Sequence, residues 1–441
     1  MIHRYFPHTN ADIEQMLAKC GVASLDDLYA DMPDECVFNR EYNLPEEMSE
    51  KEVRDFFESV GKKNKDFVCF AGAGFYDHYA PAVIPSIISR SEFLTAYTPY
   101  QPEISQGTLQ YIFEYQSMMA MLTGLNVSNA SMYDGATATA EAMMLCVANA
   151  KKRNRVLVSA TVNPYVRKVV ETYAHYHGVV IDVIAENDGV TSRSDLEAKL
   201  AQGDVAGVIV ATPNFYGIVE DYSGLADLCH ANKALLVMNC VASALATVKT
   251  PGEWGADIAV GDAQSLGIPL SFGGPYLGFM CVSKALIRKI PGRIVGATTD
   301  DAGQRAFVLT LQAREQHIRR EKATSNICSN QGLMALYVTI YMSLMGEAGL
   351  KEVYAKGAAG AHYLAEALQA TGKMSLKYPN RPYLNEFLMT TSLNVDDIIK
   401  KCTDAGILPG VKVSEGQLLI AVTEMQTRND MDKFVELIKN M

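Results

Sequence analysis

Tryptophan is nearly missing from this 441-residue chain, with one copy, and positive charge is in deficit: 39 Lys and Arg stand against 50 Asp and Glu, a net charge of −11. That balance argues against nucleic acid as a general partner. The basic clusters Lys151-Lys152-Arg153 and Arg319-Arg320-Glu321-Lys322 are short and read as solvated helix ends. No C-x-x-C pair occurs among the nine cysteines. A zinc cluster or dithiol site is therefore not indicated, and no metal is expected. Single scattered cysteines fit a reducing compartment. The first residues carry no apolar stretch of the signal-peptide kind, and no uninterrupted apolar run of bilayer length is evident. The expectation is a cytoplasmic protein with no membrane partner.

The common catalytic motifs are missing too. There is no phosphate loop of the G-x-x-x-x-G-K-[ST] type, no H-E-x-x-H and no G-x-S-x-G. Gly72-Ala73-Gly74 lacks the third glycine and the preceding long strand of a dinucleotide fingerprint.

What is present is a long alternation of strand and helix signals. With 49% hydrophobic residues, the chain can build a large core. Residues 1–65 read as a helical extension. Asn10 is the expected cap of a first helix ended by Gly21, and Ser49 with Glu52 fits a capping box for a second, stopped at Gly61. Residues 66–104 are rich in Gly, Pro and Tyr without clear periodicity. A helix over 105–125 should end at Gly124. Strands are expected at 156–158, 179–183, 205–211, 235–238, 258–260 and 277–282, with amphipathic helices between most of them. Continuous apolar strands of this kind belong to a parallel sheet covered on both faces. The stretch 305–370 reads as largely helical. The last seventy residues mix short strands and helices. This divides the chain into an extension (1–65), a large α/β domain (66–325), and a helical connection with a smaller α+β C-terminal domain (326–441).

Two polar segments stand out. Asp134-Gly135-Ala136-Thr137-Ala138-Thr139 lies between a strand and a helix, where small residues let backbone N–H groups face an anion; close packing of the helix on the sheet is the alternative. Arg314 through Asn326 is dense in hydrogen-bond donors. On a helix, Glu315 with Arg319 and His317 with Glu321 would pair at i,i+4.

Three peptides resemble signatures of the glycine cleavage system P protein, glycine dehydrogenase (decarboxylating). They are Tyr97-Thr98-Pro99-Tyr100-Gln101-Pro102-Glu103-Ile104-Ser105-Gln106-Gly107, Gly267 through Pro275, and Arg314 through Cys328. Length and start resemble subunit 1 (alpha) of the two-subunit bacterial form. The resemblance implies a fold type I architecture of pyridoxal-phosphate (PLP) enzymes. It also implies a lysine after a late strand and an acid on an earlier strand to pair with the pyridine nitrogen. This sequence departs at both places: Gln264-Ser265 stand where His-Lys is expected, and Asn239 stands for the acid. No lysine lies between Lys249 and Lys284.

The implied role is a subunit without its own cofactor, completing the site of a lysine-bearing subunit 2 (beta) that holds PLP. Glycine and the lipoylated H protein are the further partners, in a hetero-oligomer. Candidates for the shared wall are Tyr97, Thr98, Tyr100, Gln101, Arg314, His317 and Arg319, with an arginine able to take a carboxylate. A catalytically silent scaffold or regulator is the alternative; a self-sufficient PLP enzyme would need a lysine in another place.

Overall fold

The computed structural model describes residues 5–38, 40–323, 325 and 327–441 in two units, 5–65 and 66–441. In the first unit, the cap falls one residue earlier than expected. Thr9, not Asn10, opens the helix Asn10–Cys20, because its hydroxyl accepts from the Asp12 N–H while the Asp12 carboxylate accepts from Thr9 N–H. Gly21 closes the helix at φ 76°, in the left-handed region glycine tolerates. Ser49 and Glu52 form the expected capping box of Glu50–Gly61. Gly61 is the last helical residue there, and Lys62 is the cap.

The second unit is built on a seven-stranded sheet. Its order is Val127–Ser128, Gly278–Val282, Ile258–Asp262, Leu235–Val241, Val205–Thr212, Arg155–Ser159 and Val180–Ile184. The last five strands are mutually parallel, and only Gly278–Val282 runs antiparallel to its two neighbours. Alternate residues of each strand enter opposite cores. Leu157, Val208, Leu236 and Ala259 face one layer, and Val156, Ile209, Val237 and Val260 the other. Both layers are buried, which is why these strands read as continuous apolar runs.

Helix Gln106–Thr123 ends at Gly124 in the left-handed conformation, as expected. Helix Gly332–Ala370 is 39 residues long, with a break at Gly346. Its most apolar stretch has a mean hydropathy of 1.4, so by length and composition it could cross a membrane, contrary to the expectation of no such run. Its side chains have protein partners, however. Ala335, Val338 and Tyr341 join the sheet's core, and Leu364 and Leu368 join the C-terminal core. That second core lies under a four-stranded antiparallel sheet ordered Met374–Leu376, Glu386–Thr391, Gln417–Ala421 and Val411–Ser414.

The expected helical character fails at 305–310. Ile294–Thr299 and Arg305–Thr310 form an antiparallel hairpin. Gln106, at the start of the preceding long helix, clamps Phe307 with both ends of its amide, at 2.9 Å each. This tertiary contact is invisible to local propensity.

Candidate functional site

Two places have the chemistry of a site. The first is a cleft of about 670 Å³ at the C-terminal ends of Val205–Thr212, Leu235–Val241 and Ile258–Asp262, where open α/β sheets hold their ligands. Its polar lining is closed on itself. Asp134 caps the helix Gly135–Ala150, its Oδ1 accepting from Thr137 N–H at 2.8 Å. The Asp262 carboxylate accepts from Gly135 N–H at 3.0 Å and from Gln264 N–H at 2.8 Å. Burial pushes the Asp262 carboxyl up to about 7, against the pull of those two N–H groups. The helix start that could have faced an anion thus meets two carboxylates. Close packing is what the structure shows there, for a Cβ on Gly135 would lie 2.6 Å from Asp262 N.

Gln264 and Ser265 are equally committed. Gln264 is fully buried; its Oε1 accepts from Tyr76 N–H at 2.9 Å and its Nε2 donates to the carbonyls of Tyr76 and Ile268. Ser265 is buried, with its hydroxyl accepting from Ser243 N–H at 3.1 Å. Asn239 donates to the Thr139 hydroxyl at 2.8 Å. The Gly72-Ala73-Gly74 loop serves packing: Glu386 accepts from Ala73 N–H at 2.6 Å and from the Tyr76 hydroxyl at 2.9 Å. Burial raises the Glu386 carboxyl to about 7. Among the residues lining the cleft there is no lysine. Lys249 lies over the Trp254 ring, 3.8 Å from its centre, and Lys284 is exposed on a turn.

The second place is a corner formed by Tyr100, Arg293, Glu315 and His317. Arg293 is 4% exposed and Glu315 8%. Arg293 Nη2 donates to the Tyr100 hydroxyl at 3.1 Å, and its guanidinium lies 5.4 Å from that ring's centre. Glu315 Oε2 stands 3.7 Å from Arg293 Nε and 3.5 Å from His317 Nδ1. The Tyr100 and His317 rings meet edge to face at 6.0 Å. The backbone holds Arg293 firmly, with its carbonyl accepting from Ala130 N–H and Gln116 bridging both sides of Val295.

The structure therefore sorts the sequence candidates. Tyr100 and His317 come together. Tyr97, Gln101 and Arg319 are exposed and Thr98 is half-buried. The Arg314 guanidinium donates to the carbonyls of Ile290, Gly292 and Leu311. The largely helical reading of 305–370 fails here too, where residues 312–322 are broken into short turns, with Arg320 at φ 52°. Glu315 caps one of those turns and faces Arg293 and His317. Arg293 was missed because nothing local marks it; it follows Pro291-Gly292 in an unremarked turn.

A family model described as "Glycine cleavage system P-protein" matches residues 3–438. The chain belongs to that family. It is 48% identical to a Moorella thermoacetica protein named "Probable glycine dehydrogenase (decarboxylating) subunit 1", over 99% of both chains. A Geobacillus kaustophilus protein of the same name is 47% identical, over 99% of this chain and 98% of its own. Among solved structures, a glycine decarboxylase (P-protein) crystallised with an inhibitor superposes with a TM-score of 0.90 at 40% identity, covering all of both chains. An alanine–glyoxylate aminotransferase from Nostoc sp. (TM-score 0.61, 14% identity, 86% of this chain and 95% of its own) and a sphingosine-1-phosphate lyase from Burkholderia pseudomallei (0.67, 14%, 92% and 94%) share the fold alone. The P-protein chain thus has the fold type I architecture of PLP enzymes, with a parallel-sheet body and an α+β C-terminal part, as its signature peptides implied.

Proposed function

We propose that this chain acts as subunit 1 of a glycine-decarboxylating P-protein. It would work with a lysine-bearing second subunit that holds PLP, and with a lipoylated H protein that receives the aminomethyl group once glycine has lost CO₂. The full-length likeness to relatives named as subunit 1 supports the role. One observation supports the division of labour: the polar groups around the cleft where a fold type I cofactor belongs are bonded to the chain's own backbone. Gln264 and Ser265 are bonded into the backbone where a lysine would be required. Asn239 cannot carry the charge that keeps a pyridinium protonated. A phosphate at the start of Gly135–Ala150 would meet Asp134 and Asp262 in place of free N–H groups. These residues do not fit PLP, and no chemical step is assigned to it on this chain.

Tyr97, Thr98, Tyr100, Gln101, His317 and Arg319 are the groups offered to the partner's site, and the proposed compartment is the cytoplasm, a reading supported by the singly scattered cysteines of the sequence. The test is co-expression with the lysine-bearing partner, followed by mass measurement and glycine decarboxylation. Activity should need both chains. Turnover unchanged by Tyr97→Ala and Tyr100→Ala, with the assembly intact, would reduce the chain to a silent scaffold.

A further inference from the structure

Residues 5–65 have capped helices and no core. Both helices carry a capping box, yet among the described residues of this stretch none is buried. Helices of 11 and 12 residues are marginal in water unless a face is buried. Glu50–Gly61 has such a face. Val53, Phe56, Phe57 and Val60 share one side, with Phe56 53% and Phe57 65% exposed. The opposite side carries the ion pairs Lys51–Asp55 and Arg54–Glu50. Tyr29, Tyr42 and Leu44 are exposed upstream of it. From Met16 to Val60 the exposed apolar side chains present on the order of 1,000 Å² at ordinary side-chain areas. Each partner in a standard interface gives about 800 Å². A surface of this size is enough for a stable protein contact.

Charge selects the occupant. Asp26, Asp27, Asp31, Asp34 and Glu35 lie between Lys19 and Arg40 with no other charged residue among them. Residues 1–65 hold 14 Asp and Glu against 8 Lys and Arg, and residues 66–441 hold 36 against 31. A second copy of this chain is therefore acidic in both parts, and an anionic lipid surface or nucleic acid would repel the extension. The complement is a protein groove that is apolar at its floor and lined by Lys and Arg at its rim.

We propose that residues 5–65 dock in such a groove on the second P-protein subunit, with Phe56 and Phe57 as anchors. This rests on the subunit reading and names the surface by which this chain holds its partner. Hydrogen exchange on the full chain, free and co-expressed with that subunit, tests it. Amides of Glu50–Gly61 should exchange at nearly unprotected rates in the free chain and at least a hundredfold more slowly in the complex. Phe56→Asp with Phe57→Asp should weaken association at least a hundredfold and leave the melting temperature of the free chain unchanged, since both side chains are exposed. Asp26→Asn with Asp27→Asn and Asp31→Asn should weaken it about tenfold in low salt and far less at roughly 1 M salt. Undiminished association of the Phe56/Phe57 variant overturns the proposal. Equal protection of Glu50–Gly61 in the free chain, which would place the helix on residues 66–441 or on a second copy, does so too. A complex that assembles and decarboxylates glycine with Glu50–Gly61 unprotected overturns the proposal and leaves the subunit reading standing. No complex with the second subunit sinks the subunit reading, and this docking surface with it.

Discussion

The cleft and the corner each bury polar and carboxylate groups, yet they are finished differently. In the cleft, Asp134, Asp262, Gln264 and Glu386 bond to backbone groups of the same chain. At the corner, Arg293 and Glu315 are held in place by the fold, and three of their polar atoms have no partner. The contrast is one of hydrogen bonding. In the cleft, internal bonds satisfy the buried polar groups, as buried polar groups generally require. At the corner three polar atoms stay unpartnered, and the surrounding packing bears the cost.

Arg293→Ala should break the contrast hardest. It leaves Glu315 buried without its counter-charge, and the urea midpoint should fall by the equivalent of about 3–5 kcal/mol. Asp262→Asn in the cleft should cost far less, about 1 kcal/mol, since an amide oxygen still accepts from Gly135 or Gln264. Equal losses at the two positions would remove the distinction. Gly135→Ala comes next, at about 1–3 kcal/mol, because its Cβ would press on the backbone of Gly261 and Asp262 at 2.6–2.7 Å. A neutral effect would mean the cleft's helix can move away and admit an anion.

Much of this was legible in advance for physical reasons. The strands announce themselves as apolar runs because both faces of the sheet are buried, and Gly124 marks its helix end through backbone geometry. The residues at the positions where the resemblance expects a cofactor anchor, Gln264-Ser265 and Asn239, were also readable. What could not be read depends on distant contacts. Arg293 acquires meaning only beside Tyr100, 193 positions earlier. The hairpin at 294–310 depends on the Gln106 clamp. Arg314 looks like a ligand arginine by type, but its carbonyl partners are set by the path of residues 290–292.

The smallest effect concerns pH. Burial holds the folded-state Glu386 carboxyl at about 7, above its ordinary value of 4.5. The folded form therefore binds the extra proton. Its contribution to stability is full below about 4.5 and is lost as pH rises through about 7. Glu386→Gln should melt like the parent at pH 5 and a few degrees higher at pH 8. A parallel offset at both pH values would show that Glu386 does not titrate in this window.

The central claim is that this P-protein subunit keeps the fold and leaves PLP to its partner. Borohydride reduction of the assembled complex, followed by peptide mass mapping of both chains, tests it most directly. The account predicts a pyridoxyl mass on one lysine of the partner and none on any lysine of this chain, Lys249 and Lys284 included. A stoichiometric pyridoxyl adduct on this chain would contradict it.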